Sequence, residues 1–243
     1  MPITSEWTVD IPVVDIWTMY FATPKAFPPD HVLLTDADTE RSYTYHDVKQ
    51  SSVEFGKGLR HVFGWQKGHV LSFFTPNCID TPLLTYGLHW AGGVASPANP
   101  TYTVDELARQ LVDSKAAALV TQTSFLKTAV AAAQKARIPL DRVILMGDGK
   151  DESGKHRHWR DVTAKGAWRQ PRKAVLDPKK DLAYLVYSSG TTGLPKGVML
   201  THYNIVANSQ QTSRIDSKTL NWDSDCQLGV LPFFHIYVRT NSS

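Results

Sequence analysis

The chain alternates short apolar runs with longer segments whose apolar residues recur at helical spacing. Between residues 45 and 63, Val48, Phe55, Leu59 and Val62 fall near multiples of about 3.6 residues, which predicts an amphipathic helix. Gly64 follows and suits a helix end, because glycine readily adopts the left-handed conformation. Further helices are predicted at 79–91, 103–114, 124–137 and 201–214, with a short one at 159–165.

Strand-length apolar runs lie between these helices. Strands are predicted at 32–35, 70–74, 94–96, 118–121, 142–146, 182–187, 197–200 and 226–231. The run at 182–187 is continuously apolar, which is typical of a strand buried on both faces. Because strands and helices alternate, we predict an α/β fold with mainly parallel sheets flanked by helices.

Two predicted helices begin with a capping signal. Thr103 and Glu106 have the spacing of a capping box, in which each side chain bonds the backbone amide of the other residue. Thr201 is placed to cap the helix predicted at 201–214.

Composition restricts the class of protein. The chain has 243 residues, of which 42% are hydrophobic and 20% charged, as in folded globular proteins. Cys78 and Cys226 have no zinc-type spacing, which favours a reducing compartment. No signal peptide and no C-terminal peroxisomal signal are recognisable, so we expect a cytoplasmic location. The apolar stretch at 83–98 is interrupted, and no membrane span is predicted.

Positive charge is concentrated in residues 150–173, which contain eight basic and three acidic residues. Such a stretch can bind nucleic acid or an anionic membrane, so a basic surface-binding module is one hypothesis for this chain. No nucleic-acid-binding motif accompanies the charge, which favours a solvated loop that connects two parts of the chain. We therefore expect no nucleic-acid partner.

A glycine-rich segment directly after the strand predicted at 182–187 holds the candidate chemistry. Residues 187–197 contain three glycines, four serine or threonine hydroxyls and one lysine. Glycines let backbone amides turn towards an anion, the hydroxyls add donors and Lys196 adds a charge, which together suit polyphosphate oxygens. The Walker A pattern is absent, since Pro195 and not glycine precedes the lysine, and the Rossmann and hydrolase patterns are absent too. A glycine turn without a ligand is the alternative, which the hydroxyls and the lysine disfavour.

The string from Tyr187 through His202 resembles the phosphate-binding signature of the adenylate-forming superfamily. Residues 90–94 and 96–103 are similar to an earlier conserved stretch of that superfamily, and residues 231–237 to its next motif downstream. The superfamily includes acyl-CoA synthetases, 4-coumarate–CoA ligases, firefly luciferase and nonribosomal-peptide adenylation domains. The forms of residues 99–102 and 235–237 favour the branch of 4-coumarate–CoA ligases and acyl-CoA synthetases.

This resemblance implies an AMP-forming acid–CoA ligase. A carboxylate attacks the α-phosphate of Mg-ATP to give acyl-AMP and pyrophosphate, and a thiol then displaces AMP to give a thioester. The implied cofactors and co-substrates are ATP, Mg²⁺ and coenzyme A, and the implied substrate is an aryl, phenylpropenoid or fatty carboxylic acid. By analogy, His235 lies beside the carboxylate and the α-phosphate, and Tyr237 lines the acid pocket. The residues implied to hold the triphosphate are Ser188, Ser189, Gly190, Thr191, Thr192, Gly193 and Lys196.

The resemblance covers residues 1–237, which we interpret as part of an AMP-binding N-terminal domain. We divide it into a first α/β unit at about 30–150, the basic loop at about 150–173 and the start of a second unit at 174–237. Residues 238–243 diverge from the family pattern, and the family's C-terminal domain, with its catalytic lysine, has no counterpart. The segments that contact adenine, ribose and Mg²⁺ have none either, so we assign no catalytic or metal-ligating residue.

From these differences we expect a truncated ligase that is inactive alone, in which the strands that should pair with 182–187 and 226–231 are missing. The alternative is a short pseudoenzyme, or a nucleotide-binding partner of a full-length ligase, that pairs with a homologue or a complementary fragment. The acid is not identified by the sequence. The thiol belongs to coenzyme A or to a carrier protein, and the form of residues 235–237 favours coenzyme A.

Overall fold

The computed structural model describes residues 8–163, 172–188, 195–216 and 220–236. The α-helices are α1 (Ile16–Phe21), α2 (Tyr45–Phe63), α3 (Asp80–Trp90), α4 (Val104–Asp113), α5 (Leu126–Lys135), α6 (Trp159–Val162) and α7 (His202–Asp216). The strands are β1 (Val32–Thr35), β2 (Ser42–Thr44), β3 (Val70–Phe74), β4 (Val94–Ala98), β5 (Ala116–Thr121), β6 (Val143–Leu145), β7 (Leu182–Ser188) and β8 (Lys196–Thr201). Short 3-10 turns at Thr123–Phe125 and Leu140–Arg142 precede α5 and β6.

Six strands form one sheet in the order β6-β5-β3-β4-β7-β8, and β1 and β2 form a separate antiparallel pair. The strands from β6 to β7 run parallel, with Val70 opposite Val94 and Ala95 opposite Tyr184. The edge strand β8 runs antiparallel to β7. The predicted fold class, α/β with a mainly parallel sheet flanked by helices, is confirmed.

The predicted helix ends form as their sequences require. At the start of α4, the Glu106 carboxylate accepts from the Thr103 amide at 2.8 Å, and the Thr103 hydroxyl accepts from the Glu106 amide at 3.4 Å. Gly64 ends α2 with a φ of +60°. Thr201 caps α7, because its hydroxyl accepts from the Asn204 amide at 3.2 Å.

Buried side chains cover both faces of the parallel sheet. Successive residues of a strand point to opposite faces, so Phe73 joins the apolar cluster that includes α1, α2 and α3. Phe74 joins a second cluster, formed with α4 and α5. All five residues of β3 are buried, and each large apolar side chain there contributes about 1.5–3 kcal/mol. The centre of the sheet is therefore the part of the fold that burial stabilises most.

Two glycines let α2 and α3 pack closely over one face of the sheet. A Cβ at Gly56 would come within 2.5 Å of the Gly87 carbonyl oxygen, and a Cβ at Gly87 within 2.5 Å of the Ser52 carbonyl oxygen. The Ser52 hydroxyl donates to the Leu83 carbonyl at 2.9 Å. The helices thus meet through their backbones, and a larger residue at either glycine would force them apart.

A fully buried carboxylate, Asp80, joins several parts of the fold. It accepts from the Tyr43 hydroxyl at 2.8 Å and from the Trp159 indole and the Gly147 amide, each at 2.9 Å. The Arg41 guanidinium forms an ion pair with it at 3.2 Å. Burial and the neighbouring Asp80 charge raise the pKa of Tyr43 to about 12, so the tyrosine remains a donor at neutral pH.

The strand predicted at 226–231 is wrong. These residues form no strand, and the side chains of Leu228 and Val230 are exposed at 81% and 71%. Within the described ranges no strand pairs with them, and the carbonyls of Gly229 and Leu231 accept from the side chain of Asn77 instead. An apolar run alone therefore does not make a strand when no ladder partner is available.

The expectation that strand 182–187 lacks partners is also wrong, because β4 and β8 flank β7. β7 is less buried than its apolar sequence predicts, since only Ala183 and Tyr184 are buried. It lies next to the edge strand β8, so less protein covers it than covers β3. The basic stretch at 150–173 lies between β6 and β7 in the sequence, and β7 belongs to the same sheet as β3–β6. The division into two α/β units stays a prediction.

The short helix predicted at 159–165 is observed as α6, and residues 164–171 lie outside the described residues. In the part of the chain that the structure describes, no helix combines the length and apolarity needed to cross a membrane.

Candidate functional site

The two strands that flank the glycine-rich segment form an antiparallel hairpin. Ser188, the last residue of β7, lies opposite Lys196, the first residue of β8, and both are exposed. The structure therefore brings these two predicted phosphate-binding residues together. The remaining predicted residues of this segment lie outside the described residues and are Ser189, Gly190, Thr191, Thr192 and Gly193.

Lys196 keeps a positive charge that the described carboxylates do not neutralise. Lys67 and Lys135 form ion pairs with Asp181 and Asp105, whereas Lys196 forms none within the described ranges. An exposed ammonium group without a protein counter-ion can pair with an anionic ligand. The charge of Lys196 is therefore available at the hairpin for a phosphate.

The hairpin lies at the edge of the sheet where ligands usually bind in α/β folds. β7 runs parallel to β4, which runs parallel to β3. The carboxyl end of β7 at Ser188 therefore shares an edge with the ends of β4 at Ala98 and of β3 at Phe74. Ligands of open parallel sheets bind outside the carboxyl ends of the strands. The topology thus supports a ligand site at Ser188 and Lys196 independently of their residue types.

Tyr187 attaches the end of β7 to helix α4. Its hydroxyl donates to Asp113 Oδ2 at 2.5 Å. Burial and the Asp113 carboxylate raise the pKa of Tyr187 above its ordinary value, so the hydroxyl keeps its proton. Opposite it in the hairpin, a Cβ at Gly197 would lie 3.2 Å from the Tyr187 ring, so glycine leaves room for that ring.

The start of α7 attaches the other end of the hairpin to the core. His202 Nδ1 accepts from the Ile16 amide at 3.4 Å, and its ring lies 5.2 Å from that of His89. His89 Nε2 lies 3.1 Å from the Ala183 carbonyl oxygen of β7. Burial lowers the pKa of His202 to about 4, so this imidazole is neutral at physiological pH.

An irregular segment at residues 229–236 lies against the carboxyl end of β3. The Asn77 side chain donates to the carbonyls of Gly229 at 3.0 Å and Leu231 at 2.9 Å. It also accepts from the Phe233 amide at 2.7 Å. One side chain just beyond β3 thus binds three backbone groups of this segment.

His235 is exposed near the end of the segment. Its amide donates to the Pro232 carbonyl at 3.0 Å, and its ring lies 4.4 Å from that of Phe234. One strand, β4, separates β3 from β7, so the ends of β3 and β7 lie roughly 10 Å apart at the usual strand spacing. Within the described ranges, no hydrogen bond or ion pair joins His235 to Ser188 or Lys196. Tyr237 lies outside the described residues.

Two residues that support this region were missed by the sequence analysis. Tyr187 was recognised only as the start of the glycine-rich segment, and its bond to Asp113 was not predicted. Asn77 is no candidate site residue by sequence. Its one signal is a polar side chain directly beyond a buried strand, and 152 residues separate it from Gly229.

The described residues offer no obvious place for a metal ion. Within the described ranges, no three histidine, cysteine, aspartate or glutamate side chains cluster closely enough to hold one. The structure therefore gives no ligand set for Mg²⁺ in these ranges, and we derive no step through the ion.

Comparison with known proteins identifies related sequences. A family model described as AMP-binding enzyme matches residues 21–242. A probable 4-coumarate–CoA ligase 1 from Dictyostelium discoideum is 32% identical over 226 residues, covering 86% of this chain and 39% of that protein. A long-chain-fatty-acid–CoA ligase from Bacillus subtilis strain 168 is 31% identical over 229 residues, covering 82% of this chain and 39% of that protein. The chain thus spans about two fifths of the length of these curated relatives.

Solved structures share the fold. A long-chain-fatty-acid–CoA ligase from Archaeoglobus fulgidus matches with a TM-score of 0.82 at 24% identity, covering 97% of this chain and 46% of that one. ATP-bound MatB from Rhodopseudomonas palustris matches with a TM-score of 0.74 at 24% identity, covering 94% and 42%. The fold agrees with the family-model match, which spans most of the sequence. The chain therefore belongs to the AMP-binding enzyme family.

Proposed function

We propose that this chain supplies the triphosphate-binding part of an AMP-forming acid–CoA ligase. The observation that carries the proposal is the pairing of Ser188 with Lys196 at the carboxyl edge of the parallel sheet. There the two ends of the glycine- and hydroxyl-rich segment meet, and one of these ends is Lys196, which has no counter-ion within the described ranges. Family membership and the ligase names of the relatives support the same reaction class.

The proposed role of the segment is to hold the phosphates of ATP. Lys196 offsets negative charge on the phosphates, and the Ser188 hydroxyl donates to a phosphate oxygen. The other donors proposed are the backbone amides and hydroxyls of Ser189, Gly190, Thr191, Thr192 and Gly193. Donors that are already in place stabilise charge as it develops on the phosphates. An ATP-bound structure among the neighbours, that of MatB, agrees with ATP as the nucleotide.

The proposed reaction has two steps. First, a carboxylate oxygen attacks the α-phosphorus of ATP, and the bond from that phosphorus to the bridging oxygen of pyrophosphate breaks. Second, the coenzyme A thiol loses its proton to solvent and its sulfur attacks the acyl carbon, so that the bond from this carbon to the phosphate oxygen breaks and AMP leaves. We propose that His235 lies beside the carboxylate and the α-phosphate, and that Tyr237 lines the acid pocket. Mg²⁺, when bound, would reduce the charge on the phosphates.

The proposed substrate is an aryl, phenylpropenoid or fatty carboxylic acid. The names of the two relatives compared above specify 4-coumarate and long-chain fatty acids, which belong to these classes. A panel of such acids is therefore the appropriate substrate set for any activity assay.

ATP affinity measured by titration calorimetry tests the proposal. Lys196→Ala is expected to weaken the binding of MgATP about tenfold or more, because a charge-assisted hydrogen bond contributes about 1.5–3 kcal/mol. Lys127→Ala is the matched control, since Lys127 is exposed on α5, which packs beside β5 and β6 at the other end of the sheet. The control is expected to bind within twofold of the original chain.

Equal ATP affinity of the original chain and a folded Lys196→Ala variant would contradict the proposal. Acid-dependent exchange between ATP and pyrophosphate, measured on the same preparations, tests the expectation that the chain is inactive alone. Exchange that disappears in Lys196→Ala would mean that this chain catalyses adenylation. ATP binding without exchange for any acid of the panel would agree with the expectation that this chain alone is inactive.

A further inference from the structure

We propose that Asn77 is a positioning residue that fixes the segment carrying His235 at the carboxyl edge of the sheet. The inference rests on the proposed function, because the step that needs a fixed His235 is acyl adenylation. Asn77 lies in none of the motifs that support the family resemblance. Its role is inferred from its bonds to residues 229–233.

The three hydrogen bonds of Asn77 use both ends of its amide. The carbonyls of Gly229 and Leu231 require a donor, which only Nδ2 supplies, and the Phe233 amide requires an acceptor, which only Oδ1 supplies. The chemistry of the partners therefore fixes the orientation of the amide. The three backbone groups belong to alternate residues, 229, 231 and 233, as the groups bound by a neighbouring strand would. Asn77 thus takes the place of the strand partner that residues 226–231 lack.

Aromatic and apolar contacts lie near the two ends of this segment. Trp222 lies ahead of it, with its ring 5.3 Å from that of His31. Ile236, the last residue of the segment, packs against the main core. Between these two points, Leu228 and Val230 are largely exposed. The Asn77 bonds therefore supply a polar attachment for the part of the segment that is largely exposed.

The Asn77 bonds restrict His235 through a short stretch of backbone. Phe233, whose amide binds Asn77, lies two residues before His235. The His235 amide in turn binds the Pro232 carbonyl at 3.0 Å, which closes a turn. Proline also restricts its own φ, so few backbone rotations separate Asn77 from the imidazole. Loss of the Asn77 hydrogen bonds should therefore allow the His235 imidazole to change position, while the hairpin with Ser188 and Lys196 stays unchanged.

Three variants separate this role from general stability. Asn77→Ala removes all three bonds, and Asn77→Asp keeps the acceptor for Phe233 but loses both donors. Asn99→Ala is the matched control, because Asn99 follows the neighbouring strand β4 and, among the described residues, its side chain accepts from Thr101 of its own turn alone, at 3.0 Å to the amide. Hydrogen exchange of residues 229–236 reports the attachment, and the NMR signal of the His235 imidazole on addition of MgATP reports the positioning.

We expect exchange of the Phe233 amide to accelerate at least tenfold in Asn77→Ala, to accelerate less in Asn77→Asp, which keeps the acceptor, and to stay within twofold in Asn99→Ala. MgATP should bind all variants within threefold of the original chain, because the hairpin is unchanged. The MgATP-induced shift of the His235 signal should be present in the original chain and in Asn99→Ala and be lost in Asn77→Ala. An attachment with a purely structural role would leave that shift in place.

Two results would overturn the positioning role. One is unchanged exchange in Asn77→Ala, and the other is an equal His235 shift in Asn77→Ala and the original chain while both bind MgATP. If the original chain binds no MgATP at all, the proposed function itself fails and the positioning role fails with it. Calorimetry therefore shows which of the two statements is at fault.

Discussion

Strand β3 and the hairpin of β7 and β8 belong to one sheet but are held in different ways. All five residues of β3 are buried, with apolar clusters on both faces. The first four residues of β8 are exposed, and β8 lies at the edge of the sheet. Ala183 and Tyr184 attach β7 to the main apolar cluster, and polar contacts such as that of Tyr187 with Asp113 attach its exposed end. Burial thus fixes the frame and the base of the hairpin, whereas directional bonds set the position of the exposed end that carries the candidate site.

This difference has a functional reason. A residue that binds a phosphate must reach solvent in the absence of the ligand, so Lys196 cannot be covered as Phe73 is. Exposed residues contribute little to stability and can be chosen for their chemistry. Substitutions in β3 should therefore unfold the protein, and substitutions in the hairpin should mainly change binding.

The largest expected effect is in β3. Phe73→Ala should reduce the free energy of unfolding by about 3–5 kcal/mol, because it removes a fully buried ring and leaves a cavity. Met199→Ala, in β8, removes a side chain that is 66% exposed and should change it by less than about 0.5 kcal/mol. Urea denaturation of the two variants measures both values. Similar losses in the two strands would refute the contrast between them.

An intermediate effect is expected from pH. The pKa of His202 is about 4 in the folded chain and 6.5 ordinarily. Between these two pH values, His202 therefore binds a proton in the unfolded chain but stays neutral in the folded chain. The contribution of neutral His202 to the free energy of unfolding is complete above pH 6.5 and is lost as the pH falls towards 4. The loss between pH 7 and pH 5 is about 2 kcal/mol. Burial is the main cause of the lowered pKa, and Asp15 and Asp181 oppose it while Lys173 adds to it.

Denaturation at pH 7 and pH 5 measures this effect. His202→Gln should be less stable at pH 7, and its loss of stability between the two pH values should be smaller by about 2 kcal/mol. His158 also has a pKa lowered by burial and contributes a loss in the same direction, which remains in the variant. An unchanged pH dependence in His202→Gln would mean that the buried imidazole at the start of α7 is not the source.

The smallest effect is expected at the end of β7. Tyr187→Phe removes the bond to Asp113 and should reduce the free energy of unfolding by about 1 kcal/mol. It should also weaken MgATP binding a few-fold, because Ser188 follows directly. Tyr102→Phe is the control, since the Tyr102 hydroxyl has no hydrogen bond within the described ranges. Equal changes in stability and ATP affinity for the two variants would show that the Asp113 bond does not position the hairpin.

Local signals in the sequence predicted much of the frame. Helix α2 and strand β3 have the predicted bounds, because their apolar spacing and the capping residues act over a few positions. The same is true of the capping box at Thr103 and Glu106. Ser188 and Lys196 were also found locally, since both belong to one short motif.

Features that depend on distant partners were not predictable in this way. The run at 226–231 has the composition of a strand, but whether a strand forms depends on a neighbour that the run itself does not specify. The bonds of Asn77 join residues 152 to 156 positions apart. Burial of Asp80 is acceptable only because Tyr43, Trp159 and Arg41 converge on it from separate elements. No local pattern contains such information.

The bond between the Ile16 amide and His202 also sets an order of events during synthesis. Helix α1 leaves the ribosome 186 residues before its partner histidine, which at ordinary translation rates is a delay of roughly 10–40 s. In that interval α1 can pack on α3, but the side of α1 that faces α7 stays uncovered. Helix α1 is thus fully enclosed only late in synthesis, and Met19 and Tyr20, whose side chains contact Gln210 and Ser209 of α7, are a natural site for a chaperone to protect on the nascent chain.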